Sequence, residues 1–227
     1  MSKVKQQQLD ENLIAGWILC SETWTRTGNH TFTVAGDLTA KYRKGAKVRY
    51  KDGGAYEYGT VISSSYSSPN TTVTLATNTD FVMAATTITD TYISYIENPE
   101  GCPDWFTFVP IVSGAITAGI GTYTTQAGRF TLKGKLCTFQ IYIIWTNHTG
   151  TGGLRFSVPI PPRASNPLQA ITIGFVSNYT FPSTYSNLIA YLDNTWINLG
   201  AIKESGISDS AMDTSANFIL GGNYEIA

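Results

Sequence analysis

Charged residues are scarce in this sequence. They make up 14% of its 227 residues and leave a formal net charge of -1, whereas about a quarter of the residues in an ordinary soluble domain are charged. A balance this close to neutral excludes a global field that would draw the whole molecule onto nucleic acid or an anionic membrane. We therefore expect neither specific nucleic-acid binding nor membrane insertion, and any electrostatic partner must bind a local patch.

Cysteine and histidine are also few. Cys20, Cys102 and Cys137 are odd in number and lack the short spacings of zinc and redox motifs, so we predict three reduced thiols and no metal site. His30 and His148 lie in threonine-rich segments that hold no nucleophile elbow, and we interpret both as solvent-facing residues. The sequence predicts no catalytic residue, no cofactor and no enzymatic activity.

Long apolar runs are absent as well. Residues 1–12 are polar and hold no signal-peptide core, and no later run reaches the roughly 18 apolar residues of a membrane-spanning helix. We expect the protein to stay in the cytoplasm where it is made, or to leave it only within a particle. Residues 1–23 lie outside the strand pattern and are predicted to form an N-terminal arm, either a helix over Gln6–Leu19 or a loose tail.

What the sequence does contain is a succession of short strand patterns. Runs rich in Val, Ile, Thr, Tyr and Phe recur between clusters of Gly, Pro, Asn, Asp and Ser, which predicts an all-β protein. The spacing over residues 24–111 predicts a small β-barrel or sandwich. Residues 112–227 hold roughly eight further strand patterns, as a jelly-roll sandwich would. The boundary is predicted near residue 112, inside a glycine-rich connection.

The strongest strand pattern covers Leu136–Trp145. Alternate residues point to opposite faces of a strand, and one face here is wholly apolar. On the other face Tyr142 and Ile144 are also apolar, so part of that face is predicted to be covered by another sheet, a loop or a neighbouring subunit. The predicted core residues of this strand are Cys137, Phe139, Ile141, Ile143 and Trp145.

The clearest charge feature is residues 41–51, which hold six basic residues and no acid. On a strand, basic residues would alternate with Val48 and Tyr50 and form a positive row opposite a buried face. Two interpretations stay open: an edge strand that its lysines protect from aggregation, and a surface that binds an acidic protein neighbour or an anionic cell-surface polymer. The candidate partner-binding residues are Lys41, Arg43, Lys44, Lys47, Arg49 and Lys51.

A second candidate surface is the polar and aromatic segment 177–187, with the aromatic residues that follow it. Sugar binding combines aromatic faces with oriented polar groups, because sugars have apolar faces and many hydroxyls. Aromatic residues of a core or a subunit interface would have the same composition. The candidate glycan-binding residues are Asn178, Tyr179, Phe181, Tyr185 and Trp196.

Several segments of the first block carry a family resemblance. They are Thr23-Trp24-Thr25, Tyr58 and residues 32–42, 45–49, 69–75, 88–90 and 98–106. They lie within residues 17–108, and this stretch resembles a module common in virion proteins of tailed bacteriophages. Cys102 departs from that module, in which an aromatic residue usually stands at this position.

The second block resembles, more weakly, the trimeric jelly-roll heads of phage fibres, which are similar in outline to the C1q and tumour-necrosis-factor fold. The resemblance lies in Leu136–Trp145, Leu154–Pro159 and Gly222–Ile226. It implies a homotrimeric fibre or spike subunit on the tail, which would bind other virion proteins and a host-surface glycan. A capsid decoration or head-fibre protein is the alternative, and a surface-polysaccharide depolymerase is a third. The implied location is the virion, assembled in the host cytoplasm.

Overall fold

The computed structural model describes residues 15–84, 87–164, 168–180, 187–193, 195–203 and 206–226. All regular structure in those ranges is β-strand, which confirms the predicted all-β class. None of the described residues forms a helix long and apolar enough to cross a membrane. The chain forms two units, the first running to Phe106 and including Leu132–Gly134, the second made of Thr107–Thr131 and the residues from Lys135 onward. This division lies a few residues before the expected boundary.

The first unit contains a sheet of seven antiparallel strands. They are β1 (Ile18–Leu19), β2 (Thr25–Gly28), β3 (Thr31–Ala35), β4 (Lys47–Asp52), β5 (Ala55–Ser67), β6 (Asn70–Ala76) and β7 (Ile88–Ser94). Their order in space is β1-β7-β4-β5-β6-β3-β2, so β1 and β2 form the edges.

Residues 15–23 belong to this unit and do not form a separate arm. β1 pairs with β7, and Trp17 is fully buried while its Nε1 donates a hydrogen bond of 2.8 Å to the Glu100 carbonyl. The expected arm therefore differs from the structure in its last part, because a two-residue strand is too short to leave a period in the sequence. Residues 1–14 of that arm lie outside the described residues.

An aromatic core holds the first unit together. The Trp24 indole stacks on Phe32 with ring centroids 3.8 Å apart, and the Tyr42 ring meets Phe32 edge-on at 5.5 Å. Trp24 Nε1 donates to the Tyr42 hydroxyl at 2.8 Å, so the polar tips of these buried rings are paired. Val48 and Tyr50 on β4 are fully buried, as the predicted alternation requires.

β4 is an interior strand of this sheet. It pairs with β5 on one side and with β7 on the other, so the interpretation of residues 47–51 as an edge strand is wrong. Alternation along a strand predicts which side chains share a face. It does not encode which strands lie on either side, because that depends on pairing between distant segments.

The second sheet contains ten strands. They are β8 (Phe106–Phe108), β9 (Val112–Gly114), β10 (Thr122–Lys133), β11 (Leu136–Thr146), β12 (Leu154–Ser157), β13 (Gln169–Ser177), β14 (Asn187–Asp193), β15 (Trp196–Lys203), β16 (Gly206–Asp209) and β17 (Ala216–Glu225). The order is β8-β10-β11-β17-β13-β14-β15-β12-β9, with β16 beside β15. All five predicted core residues of β11 are at most 1% exposed, which confirms that prediction.

β13 belongs to both halves of the second sheet. Its first residues, Gln169–Ile171, pair with β14, whereas Thr172–Ser177 pair with β17 across a register shift. The Phe156 ring of β12 packs at 5.4 Å from Phe218 of β17, so the two halves face each other across a shared core. A strand that changes sheets at an irregularity is typical of a sandwich corner. The second unit is thus a β-sandwich, while its predicted jelly-roll connectivity and trimeric state stay predictions.

Candidate functional site

The outer face of the first sheet carries a cation held among aromatic rings. The Arg49 guanidinium lies 4.4 Å from the Tyr92 ring centroid, 4.7 Å from that of Tyr56 and 5.1 Å from that of Trp17. Lys51 Nζ lies 5.0 Å from the Tyr56 ring centroid. We call these five residues the cation–aromatic cluster. Distances of this size place each cation within range of the ring quadrupole.

Strand register builds this cluster. Arg49 lies directly opposite Tyr92 of β7, and Lys51 lies opposite Tyr56 of β5. Directly opposed residues share a face of the sheet, so three neighbouring strands place basic and aromatic side chains together. The inward residues of the same β4 stretch are Val48 and Tyr50, so one strand serves both the core and the cluster.

The two cations of the cluster differ in their partners. Lys51 Nζ forms an ion pair with Asp90 Oδ2 at 2.7 Å, which raises the pKa of Lys51. Arg49 Nε is buried and has no hydrogen-bond partner. No carboxylate in the described part of the chain lies within ion-pair distance of Arg49. The cluster therefore contains one balanced cation and one cation without a counterion.

A bulge in β7 shapes the rim of the cluster. The register with β4 shifts between Arg49 and Lys51, and Asp90 has a φ of 46°. A left-handed φ is uncommon for a residue other than glycine. Bulges of this kind redirect a side chain next to a binding or catalytic site, and here the redirected carboxylate is the partner of Lys51.

The other candidate partner-binding residues lie outside the cluster. Lys47 is only 7% exposed and donates to Thr60 Oγ1 at 3.0 Å, and burial lowers its pKa. Its cross-strand neighbours Thr60 and Ser94 are buried as well, so the predicted continuous positive row is wrong at Lys47. Lys41 is paired with Glu22 at 2.7 Å. Arg43 and Lys44 follow in the turn after it; Arg43 is exposed over the Tyr95 ring and Lys44 is half-buried.

Glu22 anchors a small polar network beside the core of the first unit. Its carboxylate accepts hydrogen bonds from Lys41 Nζ and the Tyr42 hydroxyl. Burial alone would raise the pKa of Glu22, but these hydrogen bonds outweigh burial and lower it. Lys41 is therefore committed to a structural contact, and it offers a partner less charge than its place in the sequence indicates.

The two histidines have separate structural surroundings. His30 is exposed, as expected, and its Nδ1 lies 2.7 Å from Thr77 Oγ1. His148 is buried, which makes its predicted solvent exposure wrong. Its Nδ1 accepts a hydrogen bond from Gly150 N and its Nε2 faces the Val112 carbonyl at 3.3 Å. Burial lowers the pKa of His148, so the neutral ring is favoured in the loop that it supports.

The outer face of the second sheet is apolar where three strands adjoin. Tyr142 of β11 lies opposite Ile219 of β17, and Ile219 lies opposite Phe175 of β13. Their exposed fractions are 42%, 41% and 46% respectively. We call these three residues the apolar row. No sheet or loop among the described residues covers Tyr142, and cover by a neighbouring subunit stays a prediction. The row extends the apolar surface across two more strands.

A groove of about 590 Å³ lies along the apolar row. Tyr142 and Ile219 line it, together with Gly128, Gly174 and Gly221. A Cβ atom at Gly128 would come within 2.4 Å of the Phe108 ring, so only glycine fits there. The glycines have no side chains, so they leave the space of the groove beside the two large residues.

The described candidate glycan-binding residues have different contacts. Tyr179 donates to the Ala211 carbonyl at 2.9 Å, and its ring packs edge-on against Phe218 at 5.7 Å. Trp196 lies instead under the Arg155 guanidinium at 4.4 Å. Asn178 is exposed with a φ of 54°. The remaining two candidates, Phe181 and Tyr185, lie outside the described residues.

Cysteines and possible metal ligands are the other reactive groups among the described residues. All three cysteines are free, as predicted, and burial raises the pKa of Cys102 to about 11 and of Cys137 to about 12. No group of three or more His, Cys, Asp or Glu side chains in the described ranges could hold a metal ion. These thiols are protonated at neutral pH and poor nucleophiles.

The aromatic members of the cluster were not predicted as site residues. Tyr56 and Tyr58 alternate with Glu57 and Gly59 along β5, a signal that they share one face. What the sequence alone could not show is that this face adjoins Arg49, because β4 and β5 could pair in more than one register.

The chain has a distant structural likeness to one known protein structure. Neither a family model nor a curated protein matches the chain. Among solved structures, the crystal structure of the Dettilon tailspike protein (gp208) is similar at 17% sequence identity and a TM-score of 0.45. The match covers 53% of this chain and 23% of that chain. A likeness at this identity and TM-score carries no conclusion about function.

Proposed function

We propose that this chain is a non-enzymatic structural protein of a bacteriophage particle, a subunit of a homotrimeric fibre or spike that attaches the tail to the host surface. The resemblance of residues 17–108 to a module of phage virion proteins supports the assignment of the chain to a bacteriophage particle. The all-β architecture suits such an assembly, and the low content of charge leaves little repulsion between copies. The observation that carries the proposal is the exposed apolar row.

The apolar row is a contiguous apolar surface of the second unit that association would remove from water. Exposed apolar patches on soluble proteins mark interaction sites when their residues are contiguous. Tyr142, Ile219 and Phe175 are contiguous across three hydrogen-bonded strands. In a closed homotrimer each subunit contacts its two neighbours through different patches. The row would lie toward the threefold axis, where the three copies cover it without an additional partner.

The oligomeric state tests this contact directly. We expect the full chain to be a trimer at micromolar concentration by light scattering after gel filtration. Ile219→Glu places a charge in the row and should shift the protein to a monomer. Ile120→Glu is the matched control, because Ile120 is 79% exposed and lies outside the row; it should remain trimeric. A monomeric unsubstituted chain, or a trimer that survives Ile219→Glu, contradicts the proposed interface.

The location on the particle tests the rest of the proposal. Immunogold labelling of intact phage particles with antibodies to this chain should label the tail. Labelling over the capsid would make the protein a decoration or head-fibre protein, and absence from particles would overturn the virion assignment. Release of reducing sugar from host polysaccharide by the purified chain would contradict the non-enzymatic assignment and favour a depolymerase.

A further inference from the structure

The cation–aromatic cluster has a binding capacity that the fold does not use. Arg49 is half-buried among three rings, and no described residue neutralises it. Guanidinium groups form strong, directional hydrogen bonds with carboxylates and phosphates. The rings hold the guanidinium in place, and the half-buried side chain has no counterion among the described residues, so it is prepared for an anion supplied from outside.

The charge balance limits how many anionic groups the cluster can take. Lys51 is already neutralised by Asp90 at 2.7 Å, and Lys47 on the same strand is buried. One uncompensated cation remains, so the cluster fits one anionic group at a time. A nucleic acid strand presents a row of phosphates and binds through several cations together, which this face does not offer.

Strand pairing argues against an extended peptide as the ligand. Peptides commonly add to a sheet through the free hydrogen-bonding edge of a strand. β4, which carries Arg49 and Lys51, is paired along its length with β5 on one side and with β7 on the other. An extended peptide therefore cannot add to β4, and both cations can be reached only through their side chains on the face of the sheet.

The aromatic rings of the cluster provide an apolar surface, which the binding of a charged sugar requires in addition to a cation. Tyr56 is 38% exposed and lies 6.5 Å from Tyr92 at a steep interplanar angle of 61°. The exposed part of such a ring can pack against the C–H face of a pyranose, and its hydroxyl can bond the oxygens of the sugar. Asp90, an exposed acceptor at the bulge, is the ion-pair partner of Lys51 at the rim of the cluster.

We propose that the cation–aromatic cluster binds an anionic saccharide that carries a carboxylate, such as a uronic or sialic acid residue. The carboxylate accepts hydrogen bonds from Arg49, and the sugar ring packs against Tyr56. The inference goes beyond the proposed function, because it names a ligand class and assigns it to the first unit, away from the segment that contains Tyr179.

Binding by the full chain tests the proposal. The probes are alginate oligosaccharides, which consist of uronic acids, and sialyllactose, with neutral cello-oligosaccharides and lactose as the uncharged counterparts. Titration calorimetry should show binding of at least one acidic probe, weakened by added salt, and about tenfold or more weaker binding of the neutral counterparts. No binding of either acidic probe overturns the proposal, as does equal binding of acidic and neutral sugars.

Variants locate the site. Arg49→Gln should weaken binding of the acidic probe by about tenfold or more. Arg155→Gln is the matched control, since Arg155 also stacks on an aromatic ring and has an unpartnered Nε; it should bind as the unsubstituted chain does. Tyr56→Ala is the second variant, in case Arg49→Gln does not fold, and it should weaken both the acidic and the neutral probe. Unchanged binding by folded Arg49→Gln or Tyr56→Ala contradicts the assignment.

Two further probes separate the other ligand classes. Polyglutamate and single-stranded oligothymidylate should each bind more weakly than the acidic saccharide at equal salt. Tighter binding of either one overturns the saccharide assignment in favour of an acidic peptide or a nucleic acid. Because self-association and particle labelling are measured without any sugar, failure here would leave the proposed function standing.

Discussion

The outer faces of the two sheets have opposite chemistry. On the first sheet, aromatic rings pack against Arg49 and Lys51, so large apolar surfaces are shared with charged groups of the same unit. On the second, Tyr142 and Ile219 adjoin without a charge between them. The first face can remain in water, because cations and hydroxyls stay solvated at its surface. The second exposes contiguous apolar area, and association is the way to remove it from water.

The largest expected effect contrasts the two faces of β17. Phe218 is fully buried and stacks on Trp145 at 5.8 Å, while its neighbour Ile219 faces outward in the apolar row. Phe218→Ala should lower the free energy of unfolding by about 3–5 kcal/mol, since it leaves a cavity in the core. Ile219→Ala should change the unfolding of a monomer little and weaken association instead. Urea unfolding followed by tryptophan fluorescence compares the two, and equal losses in both would show that the faces are not distinct.

A smaller effect is expected from the two stacked arginines. Arg49 contacts three rings, whereas Arg155 contacts Trp196. Arg49→Gln should lower the free energy of unfolding by about 1–2 kcal/mol, and Arg155→Gln by about half as much, if the number of ring contacts decides the cost. Urea titrations of the two variants measure this. A larger loss for Arg155→Gln would mean that the stacking in the cluster adds little to stability.

His148 should make the second unit sensitive to mild acid. Burial lowers the pKa of His148 in the folded chain, so its stabilising contribution is present above the ordinary value of about 6.5 and is lost as pH falls through the folded value. Between about pH 7.5 and about pH 5.5 the free energy of unfolding should decrease. His148→Gln should flatten this dependence. A profile that is unchanged by the substitution would assign the effect to other groups; Glu22, whose pKa is lowered, titrates further toward acid.

The smallest effect should come from the ion pair at the rim of the cluster. Lys51 and Asp90 are both partly exposed, so solvent and salt screen their attraction. Lys51→Met should lower the melting temperature slightly at low salt and not at all at high salt. A loss that persists in high salt would indicate that packing of the Lys51 side chain on Tyr56 matters more than its charge.

Local patterns in the sequence predicted the strands well. The alternation in Leu136–Trp145 identified a fully buried face, because the two-residue period of a strand is a property of consecutive residues. The same reasoning identified Val48 and Tyr50 as core residues of β4. Both predictions depend only on the chain's own geometry, and both are confirmed.

Properties that depend on pairing were not predictable in the same way. The basic residues of β4 indicated an edge strand, yet β5 and β7 flank it, and Lys47 is buried although it is charged. His148 is buried by a loop that the sequence does not identify. The cluster shows the same limit, since Arg49 and Tyr92 are more than 40 residues apart and meet only through sheet register.

The position of β17 has a consequence for how the second unit forms. β17 lies between β11 and β13 in the middle of the sheet, although its residues follow all the other strands in the chain. Roughly 80 further residues must be synthesised after β11 before β17 is available to pair with it. Contacts of such long sequence separation form slowly. A nascent chain that lacks Ala216–Glu225 exposes the apolar edges of both β11 and β13. Premature termination should yield a product that aggregates or is degraded.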